Sequence, residues 1–436
     1  MIKALCKSVV VGILTVEAQL ILWKYKPSII AVTGSVGKTS TKDAIYAGLR
    51  DSLFIRKSQK SFNSEIGIPL TIIGCETGWS NPLKWFKNIL SGLAVIVLPN
   101  HYPKWLILEI GADAPGDIEK VTRWIKPDVT VITSLPDVPV HVEAFSSPKE
   151  VIREKLFLAK ALKKNGTLVM NGDDKNVLAE KEKFSDEYVL LYGMEPHNDV
   201  AASGTSISYD GTGKPVGMRF SVDEKGSSMP IRIFGRLGQQ QVYPIVATFA
   251  VARALEIAPL TVAKSLASEQ GSPGRMRILH GYNNTTIIDD SYNSSPTALR
   301  AALATLKKVE TSGRKIAILG DMLELGSMSD TAHKKAGVQA AGVVDELILV
   351  GEHINLLAAA AHKAGFEKDN THIYEVGKSQ EAGRFVRGIL QPHDVVLGKG
   401  SQTGIRIERS IKEILRDPME AKRLLVRQDD EWKMRK

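Results

Sequence analysis

A glycine-rich turn near the amino terminus carries the residue types that bind phosphate. The run Thr33-Gly34-Ser35-Val36-Gly37-Lys38-Thr39-Ser40 stands between a β-branched segment and a helix-compatible segment. Glycines allow several backbone N–H groups to point into one concavity, and the start of the helix adds partial positive charge. In such loops the lysine contacts the β- and γ-phosphates, and the hydroxyl after it ligates Mg²⁺. The sequence therefore predicts a shortened phosphate-binding loop, and a tight strand–helix turn that happens to carry a lysine is the alternative.

Two further candidate side chains follow later strand-like runs. Glu109 ends the apolar run WLILEI (105–110), and a carboxylate at the carboxyl end of a parallel strand lies in the crevice where ligands bind. Capping a neighbouring helix is an equal alternative for it. His141 follows the next strand-like run, in PVHVE (139–143). A lone histidine is more often structural, but beside Glu109 and a phosphate loop it becomes a candidate metal ligand.

The elements that must position these side chains alternate between strand-like and helix-like segments. This alternation predicts an α/β fold with a mostly parallel sheet. Between Tyr188 and Phe234 the pattern changes to short alternating runs, which predict a small antiparallel sheet in the same domain. The segment Gly271-Ser272-Pro273-Gly274 cannot continue a helix and indicates a linker. The predicted organisation is an apolar helix (1–27), a central P-loop-containing domain (28–271) and a Rossmann-like carboxy-terminal domain (275–436).

The composition is that of an ordinary globular protein. Of 436 residues, 43% are hydrophobic and 24% are charged, which excludes a disordered or low-complexity chain. The net charge of +9 fits phosphorylated or carboxylate substrates as well as nucleic acid, and no motif supports nucleic acid. The basic carboxy-terminal residues, Arg423 and Arg427 among them, are expected on a solvated helix end. Two cysteines are too few for a disulfide framework, so a cytoplasmic protein is expected.

The first 26 residues contain an apolar run from Ser8 to Trp23, with lysines on both sides. The run is shorter than the ~20 residues of a spanning helix, and Glu17 lies near its end. A helix packed on the following domain is the favoured interpretation. The alternative is peripheral contact of residues 1–26 with anionic lipid at the inner face of the membrane.

Separate motifs, in a fixed order, resemble the Mur ligase family. In the central domain they are TGSVGKTSTKDAI (33–45), SFNSEIGIPLTI (61–72), LEIGADAPGDI (108–118) and HVEAFSSPKEVIREK (141–155). In the carboxy-terminal domain they are GRMRI (274–278), IIDDSYNSSPTALRAAL (287–303), ILGDMLELG (318–326) and VLGKGS (396–401). The latter are most similar to members that add D-alanyl-D-alanine to a muramoyl tripeptide. Only the apolar helix precedes the loop, where the family has a uridine-nucleotide-binding domain.

The resemblance implies an ATP-dependent ligase that activates a carboxylate as an acyl phosphate, which an amine then attacks. It implies that Gly34 to Ser40 bind the ATP phosphates and that Thr39 and Glu109 ligate one Mg²⁺. His141 would ligate a second Mg²⁺. Lys155 matches a lysine that the family carbamylates, and the carbamate would join the second metal site. Lys38, Glu109, His141 and Lys155 are then the expected catalytic residues.

The resemblance also implies contacts from other segments. Arg275 and Asp290 match residues that close over ATP, with Asp290 towards the ribose, although DDSYN (289–293) also fits an Asx-type turn. Gln241 stands where the family has asparagine and offers an amide to adenine. The expected substrate-binding residues are Asn63, Glu65, Asn293, Lys399 and Ser401.

Three functions follow as hypotheses. The first is a monomeric ligase that uses ATP and Mg²⁺ to join D-alanyl-D-alanine to a muramoyl-peptide precursor. The second keeps this chemistry but takes a lipid-linked precursor or a folate-type glutamate substrate. The third is a non-catalytic ATP-binding regulator, which the joint presence of Lys38, Glu109, His141 and Lys155 argues against.

Overall fold

The structure, a computed structural model, describes residues 2–58, 63, 65–79, 81–137, 142–184, 189–267, 269–429 and 432, with side chains from Ser8 onward. Within these residues the chain forms an amino-terminal helix, α1 (Ile2–Tyr25), and two sheets with helices on their faces. This arrangement confirms the predicted α/β fold class. His141 lies outside the described residues.

The first sheet has nine strands within the described part of the chain, in the order β2-β3-β1-β4-β5-β6-β7-β8-β9. Pairing is parallel from β2 to β7 and antiparallel between β7, β8 and β9. The predicted antiparallel strands therefore extend the parallel sheet, because β6 pairs with the start of β7. The strands are β1 (Ser28–Thr33), β2 (Ile55–Lys57), β3 (Trp105–Glu109), β4 (Val129–Ile132), β5 (Thr167–Asn171), β6 (Val189–Gly193), β7 (Val200–Tyr209), β8 (Pro215–Glu224) and β9 (Ser227–Phe234).

Helices cover both faces of this sheet and enclose an aliphatic core. The strands in its middle are buried along nearly their whole length, as expected of a parallel sheet with covered faces. The helices are α2 (Lys38–Leu49), α3 (Gly67–Ile73), α4 (Pro82–Val97), α5 (Asp117–Thr122), α6 (Pro148–Lys160), α7 (Lys175–Leu178), α8 (Val242–Ala254) and α9 (Pro259–Leu266).

The second sheet has the order β10-β11-β15-β12-β13-β14, with β10 antiparallel and the other strands parallel. Its strands are β10 (Arg277–His280), β11 (Thr286–Asp290), β12 (Lys315–Gly320), β13 (Glu346–Val350), β14 (Thr371–Tyr374) and β15 (Val395–Lys399). Its helices are α10 (Pro296–Lys308), α11 (Ser329–Ala341), α12 (Ile354–Lys363), α13 (Ser379–Ile389), α14 (Glu408–Ile414) and α15 (Ala421–Leu424).

Candidate active site

A cleft with a volume of about 2140 Å³ lies between the carboxyl ends of the two sheets. In each sheet the strand order reverses direction beside a central strand, at β1 in the first and at β15 in the second. Ligands of open parallel sheets bind in crevices at such points. The first sheet contributes the loop after β1 and the end of β3, and the second contributes the ends of β11 and β15.

The loop after β1 is shaped by two glycines. Gly34 has a φ of 143°, and a Cβ there would lie 2.0 Å from Thr133 Oγ1 of the neighbouring segment. Gly37 has a φ of 88° and precedes the first turn of α2, so its left-handed conformation turns the chain into the helix. The hydroxyl of Ser35 is buried and has no hydrogen-bond partner within the described ranges. A curled loop with an open donor at a helix start is suited to bind an anion.

The side chains at the start of α2 meet the carboxylate that ends β3. Lys38 folds back on the loop and donates to the carbonyl of Gly34 at 2.8 Å, and burial lowers its pKa. Thr39 Oγ1 donates to Glu109 Oε1 at 2.8 Å, and Glu109 is buried. The pair offers a hydroxyl and a carboxylate, the hard oxygen ligands that Mg²⁺ takes alongside phosphate and water oxygens. These residues therefore fit a magnesium ion held next to a bound phosphate.

Lys42 is a central member of this cluster that sequence reasoning missed. It is fully buried, and its Nζ lies 3.7 Å from Glu109 Oε2 and 3.5 Å from Asp43 Oδ1. It also donates to Ser58 Oγ at 3.1 Å. The sequence feature that could have identified Lys42 is its position one turn after Lys38 on α2, which places both lysines on the same side of the helix.

Lys155 lies in a different environment, on the inner face of α6. It is buried, and burial together with the charge of Lys38 lowers its pKa to about 7. Two features fix α6: Ser147 caps its first turn, and Glu154 accepts hydrogen bonds from Gly116 and Ile118 at the start of α5. An amine with this pKa is neutral in a substantial fraction of molecules at physiological pH, and the neutral form can act as a nucleophile.

Two residues predicted to bind substrate lie near β3 but differ in position. The carbonyl of Asn63 accepts a hydrogen bond from Gly111 at 2.9 Å, so Asn63 sits beside the end of β3 and lines the cleft. Glu65 is exposed and does not line the cleft.

Across the cleft, Asp290 and Lys399 form an ion pair at the ends of adjacent strands. Their side chains are 2.6 Å apart, and Lys399 also donates to the carbonyl of Asn293 at 2.9 Å. Burial raises the pKa of Asp290, and the charge of Lys399 opposes this shift. The backbone N–H of Met276 donates to Asp290 as well. The carboxylate thus connects the linker region to the end of β11.

Of the remaining predicted residues, two line the cleft and one is buried outside it. Arg275 stacks on the ring of Tyr292 at 4.1 Å and lines the cleft, as does the buried Gln241. Ser401 does not line the cleft; it is buried, and its Oγ accepts from the backbone of Leu323 at 2.9 Å. Ser401 therefore supports the loop after β12.

The expectation that Arg427 lies on a solvated helix end is wrong. Arg427 is buried and donates to the carbonyls of Ser291 and Tyr292 at 2.6 and 2.9 Å. Its guanidinium also pairs with Glu408, at 2.8 Å, on α14. The alternation of charges suggested exposure, but the buried Glu408 provides a partner that is 19 residues away in sequence.

Known proteins match this chain along most of its length. The model of the Mur ligase middle domain matches residues 32–252, and that of the Mur ligase glutamate ligase domain matches residues 274–402. UDP-N-acetylmuramoyl-tripeptide–D-alanyl-D-alanine ligase of Bacillus subtilis (strain 168) is 30% identical over 395 residues, which are 90% of this chain and 76% of that protein.

Solved structures share the fold. A MurF ligase from Thermotoga maritima in complex with ADP aligns with a TM-score of 0.74 and 23% identity over 95% of this chain and 84% of its own. A Mycobacterium tuberculosis folylpolyglutamate synthase complexed with ADP and AMPPCP aligns with a TM-score of 0.64 and 14% identity over 91% of this chain and 95% of its own.

Proposed function

We propose, from the premise that this chain belongs to the Mur ligase family, that it is an ATP-dependent ligase joining D-alanyl-D-alanine to a muramoyl-tripeptide precursor. The observation that carries the proposal is the meeting of Lys38, Thr39 and Glu109 at the carboxyl ends of β1 and β3. In the reaction, the γ-phosphoryl group of ATP passes to the terminal carboxylate of the tripeptide. The amine of the dipeptide then attacks the acyl phosphate, losing a proton, and phosphate leaves.

Phosphoryl transfer needs positioning and charge neutralisation more than a protein nucleophile. Backbone N–H groups from Gly34 to Ser40 would bind the phosphates, and Lys38 would turn from the loop carbonyl to contact the transferred group. Thr39 and Glu109 would hold Mg²⁺, which supplies charge neutralisation at the phosphates when bound. On the opposite wall, Arg275 and Asp290 would contact the nucleotide, and Gln241 would bind adenine.

Lys155 would act as a carbamate. Its neutral amine would attack carbon dioxide and release a proton, forming a C–N bond and converting a buried amine into an anion beside Lys38. The low pKa and the buried position support this role, since an ordinary exposed lysine is protonated at physiological pH. With His141, it would complete a second magnesium site.

The substrate groups would occupy the rest of the cleft. Asn63 would face the muramoyl-peptide side, and Asn293 and Lys399 would face the incoming dipeptide. The exposed Glu65 would contact the peptide only at the cleft entrance, and Ser401 would act by holding the loop after β12. We expect a monomer working in the cytoplasm, where ATP is available.

The test is phosphate release from a matrix of substrates with ATP, Mg²⁺ and bicarbonate. The matrix crosses UDP-linked and lipid-linked muramoyl tripeptides and a folate acceptor with D-alanyl-D-alanine, single amino acids and glutamate. Lys38→Ala is the blank, and Lys164→Ala, at an exposed lysine, is the matched control. We expect turnover with the muramoyl tripeptide and D-alanyl-D-alanine. Turnover with glutamate on a folate acceptor, or none with any pair, would overturn the proposal.

A further inference from the structure

Helices α1 and α4 pack side by side at the edge of the first sheet. On α1, the side chains of Leu14, Ala18 and Ile21 are completely buried against the core beneath. Gly92 of α4 lies so close to Glu17 that a Cβ there would be 2.2 Å from the carboxylate. Lys24 Nζ donates to carbonyls at the end of α4, at 2.7 Å for Ile96 and, just after the helix, at 2.9 Å for Leu98. The two helices therefore form one layer with a fixed outer side.

The outer side of this layer is apolar. On both helices, large hydrophobic side chains at intervals of three and four residues are exposed rather than buried, which reverses the usual pattern of a surface helix. Trp23 is 76% exposed and Phe86 is 60% exposed. The exposed side chains are Val9, Ile13, Val16, Leu20 and Trp23 on α1, and Leu83, Phe86, Leu90, Leu93 and Val97 on α4. Exposed apolar side chains concentrated in this way on two packed helices form an apolar patch, which marks an interaction surface.

The charged residues of the two helices and of the segments that follow them are mostly lysines. Residues 1–26 and 81–104 contain seven lysines, no arginine and a single acidic residue, Glu17, whose side chain is buried in the layer. Lys26, Lys84, Lys87 and Lys104 are exposed. An apolar face with lysines at its margin is complementary to a bilayer that carries anionic headgroups.

A spanning orientation conflicts with the packing of α1. The segment Ser8–Tyr25 is long and apolar enough to cross a membrane, with a mean hydropathy of 1.3. However, the fully buried Leu14, Ala18 and Ile21 belong to the core of the domain. Removing α1 into a bilayer would expose that core and separate Lys24 from the end of α4. The helix can keep these contacts only if it lies in the plane of the interface.

We propose that the outer side of the α1–α4 layer docks on an anionic lipid bilayer, parallel to its surface. The aliphatic side chains and Phe86 enter the boundary between headgroups and acyl chains, and Trp23 lies at headgroup level, where indole rings are favoured. The exposed lysines contact lipid phosphates. This inference is independent of the proposed ligase activity, because it rests on side chains of α1 and α4 that do not line the cleft and is tested without substrates.

The experiment is co-sedimentation of the purified full chain with vesicles. One set contains phosphatidylglycerol and phosphatidylcholine, and the other contains phosphatidylcholine alone, each at low and high salt. The test variant is Phe86→Glu/Leu90→Glu, and the matched control is Leu260→Glu, at a leucine of α9 that is 58% exposed. Thermal melting without vesicles establishes that each variant is folded.

We expect binding to the anionic vesicles, released by salt, with partitioning at least tenfold weaker in the double variant and unchanged in Leu260→Glu. Lys84→Gln/Lys87→Gln should weaken binding less and reduce its dependence on salt. Equal binding to neutral and anionic vesicles would overturn the proposal, as would equal binding of the double variant and the control. Absence of vesicle binding together with self-association that Phe86→Glu abolishes would assign the face to a second copy of the chain and overturn the proposal.

Discussion

Two lysines close to the glycine-rich loop after β1 are buried to nearly the same degree but differ in their surroundings. Lys42 lies within 4 Å of the carboxylates of Glu109 and Asp43 and donates to Ser58. Within the described residues, Lys155 makes no hydrogen bond or ion pair, and a second cation, Lys38, is among the charges that act on it. In this protein, therefore, two lysines that are equally buried can have very different electrostatic surroundings.

This difference in partners distinguishes a lysine with a structural role, Lys42, from a lysine whose amine can react, Lys155. A buried charge is stable only when it is paired and hydrogen-bonded, and an unpaired one shifts its pKa and becomes neutral. Lys42 has carboxylate and hydroxyl partners, and it holds the carboxylate of Glu109 in place. Lys155 has a pKa of about 7, which leaves its nitrogen lone pair free for chemistry.

Replacing Lys155 should have the largest effect. We expect Lys155→Met to lower ligase turnover on the order of 1,000-fold, or about 4 kcal/mol in transition-state stabilisation, because the proposed carbamate is lost. Steady-state phosphate release measures this effect, and Lys149→Met, at an exposed position of the same helix, is the control.

The carbamate also predicts a rescue. In Lys155→Ala, a short carboxylic acid added to the buffer should restore part of the activity, because its carboxylate can occupy the space of the missing group. A Lys155→Met enzyme with turnover close to that of wild type in buffer containing bicarbonate would show that Lys155 has no reactive role.

The effect of replacing Lys42 should be mainly on stability. Lys42→Met leaves Glu109 buried without its nearest cation, and breaking a buried pair in this way costs roughly 3–5 kcal/mol. Chemical denaturation measures the loss in the free energy of unfolding. The control is Lys57→Met, since Lys57 pairs with the same Asp43 at 2.6 Å but is partly exposed, and its loss should be about 1 kcal/mol or less. Equal losses of unfolding free energy in Lys42→Met and Lys57→Met would contradict this prediction, because the buried pair would then contribute no more than the partly exposed one.

The geometry of the loop after β1 could be predicted because its parts are contiguous. Strand, glycine turn, lysine and helix start all fall within Ser28–Ser40, so local sequence determines the local geometry. Glu109 could be placed because it ends a clearly apolar strand, and the ends of parallel strands meet at one edge. The α/β class followed from the alternation of elements in the same way.

Residues whose partners come from distant segments could not be predicted. The position of Lys42 depends on β2, Ser58 and the end of β3, and residue spacing does not encode these contacts. Lys155 lies on a helix rich in charge, so the sequence alone predicted an exposed lysine, and only the family resemblance pointed to a role for it. Arg427 was misassigned for the same reason, since its partner Glu408 is on another element.

A pH titration sharpens the comparison between the lysines further. Between the folded pKa of Lys155, about 7, and its unfolded value of 10.5, the unfolded chain binds one more proton than the folded chain. This group therefore makes stability rise with pH in that window, by about 1.4 kcal/mol per pH unit, and contributes its full penalty below pH 7. The free energy of unfolding, measured from pH 6 to pH 10, should show this rise relative to Lys155→Met. Parallel curves for the two proteins would contradict the low pKa.

Glu17 is the acidic counterpart of Lys155. Its effect on the pH dependence of stability should be the smallest, because the pH range between its unfolded and folded pKa values is narrower. Neither of its carboxylate oxygens has a hydrogen-bond partner within the described ranges, and burial raises its pKa from 4.5 to about 7. Since the unfolded chain loses this proton first, stability should fall as pH rises from 4.5 to 7 and then stay level. Glu17→Gln keeps the shape and removes the charge, so its melting temperature should exceed that of wild type by more at pH 8 than at pH 5. The control is Ser147→Ala, which removes the amino-terminal cap of α6 but no titratable group. It should lower the melting temperature equally at both pH values. If the difference in melting temperature between Glu17→Gln and wild type does not change with pH, the Glu17 carboxylate has partners comparable to those of Lys42, and the prediction is wrong.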